Sequence, residues 1–201
     1  MFILGITGPT GAGKTTALAV IEQMGGCIID ADATYHQLLE QCAPLCSALV
    51  EAFGAILGED GRIDRKKLGT IVFQDAEKLE QLNQIAYPYI VDAVKQEIDG
   101  AQQQGCPLAA IDAIGLFESG LDGLCHKTMA ITAPPEMRIQ RIMAREGISE
   151  DYARSRVRAQ KPDDFFQSHC DVVFLNDNLT IEAFQAQIQG QLNQFLHNQE
   201  G

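Results

Sequence analysis

Gly8-Pro-Thr-Gly-Ala-Gly-Lys14-Thr15 fits the pattern G-x-x-x-x-G-K-[ST], and the fold follows from what stands on either side of it. Before it runs Phe2-Ile3-Leu4-Gly5-Ile6, an apolar stretch that reads as a buried strand. Behind it, Thr16 to Met24 reads as a helix. Strand, glycine-rich loop and helix in that order are the context a P-loop needs. The glycines let consecutive N–H groups turn inward as an anion nest, and the helix N-terminus adds partial positive charge. Gly11, Ala12, Gly13, Lys14, Thr15 and Thr16 are therefore candidates for holding a nucleotide triphosphate. Lys14 reaches towards the β- and γ-phosphates and the Thr15 hydroxyl towards Mg²⁺.

Further along, short apolar runs alternate with helical patterns. Strands are expected at Cys27-Ile-Ile, at Leu108 to Ile114, at Lys127 to Thr132 and at Asp171 to Leu175, the last ending in Asn176-Asp-Asn178. Five such strands joined by helices imply a parallel sheet covered on both faces, with ligands beyond the carboxyl ends of the strands. Pro44 suits a helix first turn, and Asp64, Asp75 and Ser149 are placed to cap helices. Tyr87-Pro88 is expected to break a helix, with a second one running on to about Gln104. The C-terminal helix carries Ile181, Phe184, Ile188, Leu192 and Phe195 on one stripe.

The chain has 201 residues, with 27 acidic against 15 basic side chains and a formal charge of −12. Such a surface repels nucleic acid and anionic membrane, so neither is an expected partner. No apolar run approaches the roughly 20 residues of a membrane span, and a cytoplasmic location and a monomer are expected. Six cysteines (Cys27, Cys42, Cys46, Cys106, Cys125 and Cys170) are scattered over predicted strands, helices and loops. In a chain without export signals they read as reduced thiols rather than a disulfide framework.

Candidate chemistry lies at the predicted strand ends. Asp30 and Asp32 follow the second strand, where a carboxylate can accept a proton from an attacking hydroxyl or cap the next helix. Asp112 ends the third strand and is a candidate Mg²⁺ partner, and Glu118 is a candidate substrate contact. Arginines concentrate between Arg138 and Arg158 in an otherwise acidic chain. Arg141 and Arg145 share a helix face at i,i+4, suited to charge developing on a transferring phosphoryl group. Glu136, Glu146, Glu150 and Asp151 stand among them, so some of these arginines are solvated surface residues. His126, His169 and His197 pair with no candidate nucleophile, and nothing supports a hydrolase triad or hydride transfer. A GTPase switch is disfavoured because the N-K-x-D guanine-reading pattern is missing after the fourth strand.

Taken together, these segments resemble the dephospho-coenzyme A kinases. The resemblance runs through Gly5-Ile-Thr-Gly8, Gly11-Ala-Gly-Lys-Thr-Thr16, Ile29-Asp-Ala-Asp32, Gly61-Arg-Ile-Asp-Arg65-Lys-Lys-Leu68, Ile71-Val-Phe73 and Leu79-Glu-Gln-Leu-Asn83. It continues in Asp112, Leu116-Phe-Glu118, Arg141-Ile-Met-Ala-Arg145, Gln160 and Asp171 to Asn176. It implies an α/β P-loop NTPase fold in three layers, with a five-stranded parallel sheet, a helical substrate-binding insertion and a helical lid. Residues 1–34, 88–136 and 167–201 would form the core, 35–87 the insertion and 137–166 the lid. It implies ATP with Mg²⁺, and dephospho-CoA as acceptor; the alternative is another small-molecule P-loop kinase. By resemblance Asp32 is the base, with Lys14 and Arg141 acting on the phosphates and Arg145 and Asn176 at the nucleotide. Thr7, His36, Arg65 and Glu118 fall to the acceptor. Tyr87-Pro88 stands where the family usually has His-Pro, and Ile114-Gly115 where it has proline and leucine.

Overall fold

The structure, a computed structural model, describes residues 1–177 and 180–197. Asn178, the last residue of the run expected after the fifth strand, lies outside the described residues. The elements in order are β1 (Phe2–Thr7), α1 (Lys14–Gln23), β2 (Cys27–Asp30), α2 (Ala31–Gln41), α3 (Ala43–Phe53), α4 (Arg65–Val72) and α5 (Ala76–Gln103). They continue as β3 (Leu108–Asp112), β4 (Lys127–Thr132), α6 (Pro135–Glu146), α7 (Glu150–Arg158), α8 (Asp163–His169), β5 (Val172–Leu175) and α9 (Ile181–His197).

The strands form one parallel sheet in the order β2-β3-β1-β4-β5. Its register aligns the chemistry: Ile6 pairs with Asp112, Asp112 with Asp30, and Thr132 with Leu175. The P-loop, both aspartate strand ends and the Leu175–Asn176 corner thus share the carboxyl edge. One face of the sheet packs on α2 and α5, with α3 and α4 packed outside them, through a cluster that includes Ile29, Leu49, Leu68, Ile90, Val94 and Ile111. The other packs on α1 and α9 through Leu4, Ile6, Ile21, Met129, Phe184 and Ile188. Ile181, expected on the buried stripe of α9, is exposed, because the stripe begins only at Phe184. A small separate core of Ile139, Ile142, Ala153 and Val157 joins α6 to α7. Among the described residues no helix is long and apolar enough to cross a membrane.

Two expectations are corrected. The helix does not break at Tyr87-Pro88: α5 runs through it, so residue 87, drawn as the end of the insertion, lies inside a helix. Leu82, Ala86, Ile90, Val94 and Ile98 recur every fourth residue across the proline, and all are buried. Burying each of the larger ones is worth about 1.5–3 kcal/mol. Together they exceed the roughly 3 kcal/mol cost of an internal proline. Nor are all six cysteines reduced, for Cys27 and Cys106 form a disulfide with Cα atoms 6.2 Å apart. Parallel pairing of β2 with β3 sets Cys27 opposite Ala109, close to the loop that carries Cys106. The remaining four are free thiols. Helix α8 was not foreseen; Asp163 and Asp164 in its first turn suit the helix dipole, and buried Phe166 anchors it.

Candidate active site

The P-loop owes its shape to glycines that no other residue can replace. Gly8 has φ +137°, and a Cβ there would lie 2.1 Å from the Ile131 carbonyl oxygen on β4. Gly13, at φ +105°, precedes the first residue of α1, and its Cβ would lie 2.4 Å from Asn176 Nδ2. Ala12 is fully buried, and Thr16 is tied into the turn by its N–H donating to the Gly13 carbonyl at 3.1 Å. Lys14 Nζ sits 2.8 Å from Asp112 Oδ1, an ion pair just above the β1–β3 register. Asp112 Oδ1 is buried, and the Lys14 ammonium is the group that faces it.

The two acids after β2 have different roles. Asp30 caps α2, its Oδ1 accepting from the N–H groups of Asp32 and Ala33 at 3.0 Å each. Asp32 is left free of capping. Burial pushes its carboxyl above the usual range, opposed by the Lys14 charge and reinforced by Asp30 and Asp112. A carboxylate that is partly desolvated beside a lysine is a stronger base than one in water and still has a cation to steady it.

Three adjoining cavities surround these groups. The first, about 350 Å³, is lined by the P-loop from Pro9 to Thr15 with Asp112, Ile114, Arg141 and Arg145. The second, about 470 Å³ and mostly apolar, holds Asp32 with Tyr35, Phe73, Asn83, Tyr87 and Ile114 among its walls. Ile114 is common to both. The third, about 450 Å³, carries His36, Arg65 and Lys66 and shares Tyr35, Phe73 and Leu82 with the second. A trench therefore leads from the first cavity with its cationic side chains, past Asp32, to a basic recess on α2 and α4. Phe73 is 77% exposed at the junction.

The arginines divide by contact. Arg141 Nη1 donates to the carbonyls of Gly11 and Ala12 at 3.1 and 3.2 Å, at the wall of the phosphate cavity. Arg145 lines the same cavity and pairs with Glu146 at 2.6 Å. Arg154 is committed to Glu136 and Glu150, and Arg156 to Glu146, on the solvent side. These are the solvated arginines that the neighbouring acids implied.

Other expected residues stand further off. Thr7 is buried, its hydroxyl donating to the Ile114 carbonyl at 3.3 Å beneath the wall shared by the first two cavities. Asn176 is buried with Nδ2 donating to the Ala12 carbonyl at 2.8 Å, so its side chain braces the P-loop. Glu118 pairs with Lys161 at 3.1 Å, outside the three cavities.

Comparison with known proteins places the whole chain. The dephospho-CoA kinase family model matches residues 2–182. A dephospho-CoA kinase from Carboxydothermus hydrogenoformans is 36% identical over 187 residues, 92% of this chain and 90% of that one. The chain belongs to the dephospho-CoA kinase family. A Thermus thermophilus crystal structure superposes with TM-score 0.79 at 30% identity, covering 96% of this chain and 97% of that one. The dephospho-CoA kinase of Campylobacter jejuni shares the fold, with TM-score 0.69 at 24% identity and 98% of both chains covered. The dephospho-CoA kinases are ATP-dependent enzymes. Tyr35, Phe73, Tyr87 and Ile114 were not singled out from sequence as site residues. Their aromatic or apolar character at helix and loop positions is equally that of core residues, and only their exposure to the trench separates the two.

Proposed function

We propose that this protein transfers the γ-phosphate of ATP to the 3′-hydroxyl of the dephospho-CoA ribose, the last step of CoA biosynthesis. The observation that carries the assignment is Asp32, a partly desolvated carboxylate on the trench between the phosphate pocket and the acceptor cavity. A ribose hydroxyl is a poor nucleophile, and Asp32 orients it and takes its proton as the bond to phosphorus forms. The P-loop N–H groups and Lys14 hold the β- and γ-phosphates, and Arg141 and Arg145 face the same cavity to meet charge on the transferring group. The apolar second cavity suits the adenosine, and the basic recess at His36, Arg65 and Lys66 suits the pyrophosphate or pantetheine arm.

Hard oxygen donors stand where Mg²⁺ belongs. Thr15 lines the first cavity together with Asp112, whose Oδ1 is ion-paired with Lys14 at 2.8 Å. Thr15 and Asp112 would hold the ion, which supplies charge neutralisation across the β- and γ-phosphates. Mg²⁺ is bound in such sites by one or two protein oxygens with phosphate and water making up the rest, so this small donor set fits it.

The test is a panel of acceptors offered with labelled ATP: dephospho-CoA, adenosine, nucleoside monophosphates, shikimate and gluconate. Label is expected in the 3′-phosphate of CoA. Preferential labelling of another acceptor would overturn the assignment, and turnover of ATP without any acceptor would favour a nucleotide switch.

A further inference from the structure

Two residues that line none of the three cavities described above join both stems of the α6–α7 hairpin to a single P-loop residue, Thr10. Arg138 lies in the first turn of α6, and Gln160 lies just beyond α7. Each polar group of Thr10 is engaged by one of them. Its N–H donates to Gln160 Oε1 at 3.1 Å, its hydroxyl accepts from Gln160 Nε2 at 2.8 Å, and its carbonyl accepts from Arg138 Nε at 3.1 Å. Arg138 Nη2 closes the ring by donating to Gln160 Oε1.

The arrangement is costly for a structural convenience. Arg138 is only 4% exposed, and its hydrogen-bond acceptors are a carbonyl and an amide, with no carboxylate in contact. A buried guanidinium is normally paired with an anion. The backbones also meet here: a Cβ on Gly11 would lie 2.9 Å from the Arg138 carbonyl oxygen. Meanwhile α6, which carries Arg141 and Arg145, is packed to α7 by Ile139, Ile142, Ala153 and Val157. Thr10 itself lines the phosphate cavity.

We propose that Arg138 and Gln160 are positioning residues that lock the hairpin to Thr10, so that the shape of the P-loop and the orientation of the Arg141–Arg145 face are set together. The proposal rests on the kinase reading above only in naming the acceptor. The coupling acts through hydrogen bonds to the loop that grips ATP, so it is read in nucleotide binding as well as in turnover. The Gln160 amide serves both Thr10 groups at once, accepting from the N–H and donating to the hydroxyl.

The experiment compares Gln160→Ala, Gln160→Glu, Thr10→Ala and the double variant Thr10→Ala/Gln160→Ala with the wild type. It measures the Kd of a non-hydrolysable ATP analogue by calorimetry, kcat and both KM values, and Tm. Gln160→Ala is expected to weaken the analogue and lower kcat by roughly tenfold each, while KM for dephospho-CoA stays within about twofold, in the range of networked hydrogen-bond couplings. Gln160→Glu keeps the acceptor for the Thr10 N–H, lets the Thr10 hydroxyl donate instead, and pairs with Arg138, so it is expected to recover most of the loss. The double variant is expected to be little worse than Gln160→Ala, since both act through Thr10. Unchanged Kd and kcat in folded Gln160→Ala, a fall in Tm alone, or losses that simply add in the double variant would each overturn the proposal. A wild type that binds the analogue but transfers nothing to dephospho-CoA would overturn the acceptor assignment, and the coupling would then be decided by Kd.

Discussion

Asp32→Asn should separate catalysis from folding, and the structure supplies both signs. The α2 cap belongs to Asp30, whose carboxylate accepts from the Asp32 and Ala33 N–H groups, so an amide at position 32 leaves the helix start intact. Asparagine keeps the size of the side chain and one oxygen acceptor but can neither take a proton nor carry charge. General base catalysis is typically worth 10²–10⁴-fold, about 2.7–5.4 kcal/mol of barrier at ~1.36 kcal/mol per decade, and kcat is expected to fall within that span. A loose transition state removes the proton late, which would pull the loss towards the lower end. Stability is expected to move the other way. Burial raises the Asp32 carboxyl above its ordinary 3.8, so the folded protein binds this proton more tightly than the unfolded chain does. The group therefore favours folding at low pH and opposes it once ionised, and removing the charge at neutral pH should leave Tm equal or higher. In the wild type, kcat/KM should decline as pH falls through a limb above the usual carboxylate range, and the variant should lack that limb. Lys14, Asp30, Asp112 and His36 are the charges that face Asp32, and variants at those positions should shift the limb. The assay is steady-state transfer to dephospho-CoA across pH, with calorimetric melting of each protein. Near-normal kcat in Asp32→Asn, or a heavier loss in Asp30→Asn, where asparagine can still cap, would show that the base is another carboxylate.

Lys14→Ala removes the cation nearest Asp112 and the one placed for the β- and γ-phosphates, so transfer should fall by at least on the order of 10²–10³-fold, read by single-turnover kinetics. Arg141→Ala should lower kcat more than it weakens ATP binding, because the guanidinium matters most as charge develops; a large rise in ATP Kd at unchanged kcat would make it a ground-state contact instead. Gly8→Ala should abolish ATP binding and lower Tm together, since its Cβ would fall 2.1 Å from a β4 carbonyl oxygen that cannot move without the sheet. A variant that bound ATP normally would show that the loop can be displaced at little cost.

What the sequence made legible here was local. The P-loop, the caps at Asp64, Asp75 and Ser149 and the five strands are written in stretches of a few residues, where spacing alone carries the physics. The pattern left Asp30 and Asp32 each open to capping or to proton acceptance, and the helix beginning at Ala31 makes Asp30 the cap. Where the reading failed, the deciding interaction was remote or collective. Cys27 and Cys106 are 79 positions apart, and their meeting depends on a strand order that no local pattern encodes. Pro88 is a strong local breaker, yet the four-residue recurrence from Leu82 to Ile98 outweighs it, a signal present in the sequence but spread over four turns. The arginines show why type and spacing are not enough for a site. Arg138 and Arg141 lie one turn apart on α6, yet Arg138 is sealed against Thr10 while Arg141 lines the first cavity. Gln160 reaches Thr10 across 150 positions. The difference between these two arginines is one of direction rather than chemistry: α6 approaches so closely at Gly11 that no Cβ fits between them, which turns the first guanidinium beneath the loop and leaves the next at the cavity wall.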